Sequence, residues 1–84
     1  MSHARDVVEV VARSLADEPD QVQVTETDHR GTRVIELFLA PGDLGRVIGR
    51  QGRTVAALRT LAAAAAERDG HKVTVEVREP AHRK

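Results

Sequence analysis

Apolar side chains recur along this 84-residue chain with two different periods, and each change of period marks a boundary. From about residue 3 to 17, Val7, Val8, Val11, Ala12 and Leu15 fall at helical spacing, while Arg5, Asp6, Glu9, Arg13 and Asp17 fall mostly elsewhere. This predicts an amphipathic helix. Its β-branched valines have modest helix propensity, so the helix depends on packing. Glu18-Pro19-Asp20 ends it. Residues 21 to 27 then alternate, with Val22 and Val24 on one side and Gln21, Gln23, Thr25 and Thr27 on the other, the pattern of a half-buried strand. Asp28-His29-Arg30-Gly31 reads as a turn. Residues 32 to 40 form its hairpin partner, with Ile35, Leu37 and Leu39 buried and Val34, Glu36 and Phe38 on the open face.

Pro41-Gly42-Asp43 breaks the strand, and Asp43 reads as the N-cap of a short helix through Ile48, stopped by Gly49. A longer helix starts near Arg53 and runs to about Asp69, with Val55, Leu58, Leu61, Ala62 and Ala65 on its core side and Gly70 as its C-cap. The alanines from 62 to 66 favour helix and leave a flat surface for close approach. Val73, Val75 and Val77 alternate with Lys72, Thr74, Glu76 and Arg78 as a third strand, ended by Glu79-Pro80. The expectation is one α+β domain over residues 1–79, ordered α-β-β-α-α-β, with a disordered tail at 80–84. Its three-stranded sheet, backed by three helices, would bury Val22, Val24, Ile35, Leu37, Leu39, Val73, Val75 and Val77.

Composition narrows the function classes. A chain this short buries a modest core and has little room for an enclosed catalytic cavity. No run approaches the roughly 18 apolar residues of a membrane span, and the opening residues lack a signal peptide's apolar region, so a cytoplasmic location is expected. The absence of cysteine removes disulfides, thiol catalysis and cysteine-held zinc. His3, His29, His71 and His82 lack the spacing of a helical metal pair, and no cofactor or metal is assigned. Formal charge cancels at thirteen against thirteen, but unevenly. Residues 1–40 carry four Arg against eight acids, residues 41–60 four Arg against one Asp, and residues 61–84 five bases against four acids. The positive segment suits a short track of phosphates.

At the centre of that segment lies Val47-Ile48-Gly49-Arg50-Gln51-Gly52-Arg53-Thr54-Val55. Two glycines at a helix-to-helix corner allow a sharp bend and let the main chain come close to a phosphate or sugar. Arg50 and Gln51 would stand at the tip, flanked by Arg46 and Arg53. Glycine is common enough that this spacing alone is weak, so the context carries the reading. A P-loop needs four residues between its glycines, then Lys and Ser or Thr, after a strand, and none of this is present. No pair of titratable groups is placed for acid-base work, since Asp43 is explained as a cap. With one Phe and no Tyr or Trp, the chain cannot stack bases as an RRM or OB-fold platform does. A protein-interaction module, with the glycine corner purely structural, stays open beside nucleic-acid binding.

The run Ile48-Gly49-Arg50-Gln51-Gly52-Arg53-Thr54-Val55, between a strand and a helix-strand pair, resembles the Ile-Gly-x-x-Gly-x-x-Ile signature of the K homology (KH) domain. The extra helix and strand before that core look like the type II arrangement. With Pro41-Gly42-Asp43, Gly45 and Val47, the chain resembles the KhpA family of small bacterial RNA-binding proteins. Val55 replaces the signature's second isoleucine, and overall neutrality is unusual for such a binder. The resemblance implies single-stranded RNA as ligand, held at Gly49, Arg50, Gln51 and Gly52, with bases in an aliphatic groove of Val47, Ile48 and part of the second strand. It implies a non-enzymatic RNA chaperone or post-transcriptional regulator. It also implies self-association as a homodimer, or pairing with a larger KH protein of the Jag or KhpB type, and links to cell-wall growth and cell shape.

Overall fold

The computed structural model describes residues 2–48 and 52–79, and at 46–48 the backbone alone. Helix α1 spans His3–Leu15, a 3₁₀ turn Pro19–Gln21, strand β1 Gln23–His29, β2 Thr32–Phe38, helix α2 Pro41–Ile48, α3 Arg53–Asp69 and strand β3 Lys72–Arg78. The sheet order is β1-β2-β3. Strands β1 and β2 are antiparallel, Gln23 facing Phe38 and His29 facing Thr32. Strand β3 runs parallel to β2, Thr32 beside Lys72 and Phe38 beside Arg78, so α2 and α3 form the crossover that a parallel pair requires.

Local chemistry explains the boundaries. The Ser2 hydroxyl accepts the Arg5 N–H at 3.1 Å and caps α1. Strand β1 begins at 23, two residues later than alternation predicts, because Pro19-Asp20-Gln21 closes into a turn in which the Val22 N–H donates to the Pro19 carbonyl. The strand then runs through His29, and the turn contracts to Arg30-Gly31, with φ of 55° and 87°. Two positive φ values give the hairpin bend whose twist matches the strands. Gly70, at φ 76°, ends α3 as expected and donates to the Ala66 and Glu67 carbonyls.

The core lies between the sheet and the helices. Val8, Val22, Ile35, Leu37, Leu39 and Leu58 are fully buried, and Val24, Val73 and Val77 pack half-buried against them. Two leucines expected on the apolar helix faces are exposed, Leu15 at 42% and Leu61 at 48%, and on α3 Ala66 is buried instead. Helices α1 and α3 meet with Ala4, Val8 and Ala12 buried on one side and Ala62 and Ala66 on the other. Such small side chains let two helix backbones approach closely. Val55, Leu58, Ala62 and Ala66 define the buried face of α3, and Leu61 falls outside it. On the open sheet face Val34 and Phe38 are half-buried, and Glu36 accepts from Arg78 at 3.2 Å. The expected helix stop at Gly49 and tail at 80–84 lie outside the described residues.

Candidate nucleic-acid interface

The corner that would meet a ligand joins α2 to α3, and α2 is built from residues with low helix propensity. Pro41 supplies the first helical position, where its missing N–H costs nothing. Asp43 is therefore not the N-cap: the Asp43 and Leu44 N–H groups both donate to the Ala40 carbonyl, at 2.9 and 2.8 Å. Asp43 sits inside the first turn, 3% exposed, and accepts the Asp17 and Glu18 backbone N–H groups at 2.9 Å each. The preference of proline for the first helical position is the signal that places Asp43 two residues further in.

Of the eight residues the sequence nominates, Gly49, Arg50 and Gln51 lie outside the described residues, and Arg46, Val47 and Ile48 occupy the end of α2. Gly52 takes φ 67° and ψ 20°, immediately before α3, and a Cβ there would meet no atom within 4 Å. The left-handed conformation favours glycine while the space around it is open. Arg53 is exposed and opens α3. A Cβ at Gly42 or Gly45 on α2 would likewise meet nothing within 4 Å, so packing within this chain does not require either glycine.

Strand β2 is central, with both edges hydrogen-bonded, so the sheet's free edges belong to β1, beside α1, and to β3, beside α3. Between α3 and the β3 edge lies a crevice of about 410 Å³ lined by Arg59, Ala63, Val73, Thr74, Val75 and Glu76. The Arg59 Nε–H donates to the Val75 carbonyl at 3.2 Å. Nothing in the spacing marks Arg59, because strand order is not written in periodicity.

Electrostatics separates two sets of cations. Arg5 and Arg13 pair with Glu9 at 2.7 and 3.0 Å, Arg33 with Glu26 at 3.3 Å, and Arg78 with Glu36. Glu9 is held below its ordinary 4.5, first by the hydrogen bond from Arg13 and then by that from Arg5. Among the described residues, Arg30, Arg53, Arg59, Arg68 and Lys72 make no ion pair. Three of these lie on α3, Lys72 opens β3 and Arg30 sits in the hairpin turn.

The histidines are less scattered than their sequence positions imply. At the end of α3 remote from the glycine corner, the His3 ring meets Asp69 at 2.6 Å and Arg33 meets His71 Nε2 at 3.2 Å, around a hollow of about 320 Å³. The His3 hydrogen bond holds the Asp69 carboxyl below its ordinary 3.8, against desolvation acting the other way. Among the described residues no three metal-ligating side chains gather. No helix is long and apolar enough to cross a membrane among those residues.

Comparison with known proteins bears on this arrangement. The family described as "KhpA/KhpB, KH domain" matches residues 5–77. RNA-binding protein KhpA of Aquifex aeolicus is 46% identical over 79 residues, covering 94% of this chain and all of that protein. Its counterpart in Clostridium acetobutylicum is 44% identical over 73 residues, covering 87% and 97%. Among solved structures, Era of Aquifex aeolicus bound to GDP and aluminium fluoride superposes with a TM-score of 0.63 at 22% identity, over 90% of this chain and 30% of Era. Era in complex with MgGDPNP and nucleotides 1506–1542 of 16S ribosomal RNA gives 0.62 at 22% identity, over 90% and 29%.

Proposed function

Because this chain belongs to the KhpA/KhpB KH-domain family, a family of binding proteins and not of enzymes, we propose that it binds single-stranded RNA where α2 meets α3. One observation carries this reading: the cations without ion pairs include Arg53 and Arg59, beside a left-handed, uncrowded Gly52. A polyanion supplies the counter-charge those arginines lack. The curated relatives are named RNA-binding proteins, and the structurally similar Era has been crystallised with ribosomal RNA.

In this reading Gly49, Arg50, Gln51 and Gly52 hold the sugar-phosphate backbone, with Arg46 and Arg53 as phosphate neighbours. Bases lie against Val47 and Ile48 and along the β3 edge, in the crevice of Arg59, Val73 and Val75. Lacking stacking aromatics, the site reads bases by aliphatic contact and main-chain hydrogen bonds, so affinity is modest and sequence preference permissive. Exposed Gly42 and Gly45 keep α2 low against an approaching strand.

Weak single-domain binding gains from pairing, because a second domain on the same strand acts at a high effective concentration. The outer face of α3 suits such pairing. Leu61 is 48% exposed there, with Ala57 and Ala64 exposed at helical spacing around it. A homodimer, or a heteromer with a larger KhpB-type KH protein, would then act as an RNA chaperone or post-transcriptional regulator in the cytoplasm. The same exposed leucine favours a second reading, a protein-interaction module whose glycine corner is only a bend.

The test replaces Arg50 and Gln51 with Asp and measures single-stranded RNA binding beside self-association. Lost RNA binding with association retained supports the clamp. RNA binding that persists unchanged favours the interaction module. Matched RNA and DNA oligomers then define the polymer.

A further inference from the structure

Among the described residues Asp43 is the one buried charged side chain, 3% exposed. Its two oxygens take the Asp17 and Glu18 N–H groups, which lie in the linker between α1 and β1, 25 and 26 residues away in sequence. Meanwhile α2 has weak internal reasons to hold one pose. It is eight residues long and contains Pro41, Gly42 and Gly45. Neither Gly42 nor Gly45 is demanded by packing within the chain. A helix with that composition takes its orientation from tertiary ties rather than from its own propensity.

A carboxylate suits this tie because it is acceptor-only, with one oxygen for each N–H. Asparagine would turn a donor toward one of the two donors. The charge also sits in the first turn of α2, where the helix N-terminus favours an anion. From Asp43 the chain runs through α2 to Ile48, and α2 packs against α3, so the hold on the linker sets how the end of α2 lies against α3.

We infer that Asp43 is a positioning residue for the proposed RNA site: by gripping the α1–β1 linker it fixes the pose of α2 against α3. This rests on the RNA-binding reading for its consequence, but not for its geometry. Two variants separate the two. Asp43→Asn keeps the size and spoils the acceptor pair, and Asp17→Pro removes the Asp17 N–H donor on the linker side of the contact. Hydrogen exchange of the α2 and Gly52 amides, without RNA, reads the pose directly. RNA affinity, corrected to the folded fraction from a parallel denaturation curve, reads the consequence.

The expected result is faster exchange in α2 for both variants and RNA affinity lowered about three- to tenfold in each. Acting through the same contact, the two changes together should do no more than the worse of them alone. Unchanged exchange in α2, or losses that multiply in the double variant, would overturn the inference. So would normal affinity per folded molecule, since Asp43 would then serve stability alone. If the unmodified chain binds no RNA, the function reading fails, and the exchange data still decide whether Asp43 sets the pose of α2.

Discussion

The two halves of this molecule handle their arginines differently. In α1, β1 and β2, Arg5, Arg13 and Arg33 are each committed to a carboxylate, and Arg13 also donates to the Pro19 and Val22 carbonyls. Across α3 and the start of β3, Arg53, Arg59, Arg68 and Lys72 have no such partner among the described residues. A chain of zero formal charge thus divides into an acidic half, whose arginines apart from Arg30 in the hairpin turn are paired, and a helix surface whose cations are not. Net charge would have argued against a nucleic-acid binder. Its partition argues for one, because affinity for phosphate depends on which cations are free to release counterions when they bind, not on the sum.

The sharpest way to break that comparison is to reverse equal charge in each half. Arg53→Glu with Arg59→Glu should lower RNA affinity more than about tenfold, whereas Arg5→Glu with Arg13→Glu should change it by less than about threefold. Equal losses in an oligonucleotide titration would mean that only the total matters. Next in size, Gly45→Ala should raise stability by about 0.5–1 kcal/mol, since α2 gains a better helix former in open space, while RNA affinity falls severalfold. A variant more stable and equally competent would remove α2 from the contact surface. A salt series gives a third measure: with about two to four phosphate contacts, log K should fall against log salt with a slope near −1.5 to −3, and reversing Arg53 alone should flatten it by about 0.7.

The smallest effect tests the ion pairs themselves. Glu9 and Asp69 titrate below their ordinary 4.5 and 3.8 in the folded chain. Carboxylates with depressed values stabilise the fold above the unfolded-state pKa and lose that contribution as pH falls through the folded one. Stability should therefore decline as the solution is acidified below about pH 4.5, and Glu9→Gln should make that decline shallower in a pH series of denaturation curves. Both groups are solvent-accessible, so the change is slight.

Much of this was legible in the residues. The element order, the interior of each strand and the extent of α3 follow from periodicity, because a period of two or 3.6 residues reports which side chains share a face. The misplacements have a common cause. Asp43 reads as a cap from its neighbours, but its partners lie in a linker far away in sequence. Leu61 scores as core by spacing, yet α3 buries Val55, Leu58, Ala62 and Ala66 and leaves it outside that face. His3 and His71 come from opposite ends of the chain and share one hollow only because α1 begins where α3 ends.

By itself the sequence determined the α-β-β-α-α-β order, the buried faces of the strands and a pair of glycines flanked by arginines. These depend on neighbours within a few residues, where steric and hydrophobic preferences act locally. Tertiary structure alone decided that β2 lies between its neighbours, that β3 is an edge strand and that Arg59 borders it. It also decided which arginines are consumed by carboxylates. Strand order and ion pairing are set by which segments meet in space, and a one-dimensional pattern carries no record of distance between segments.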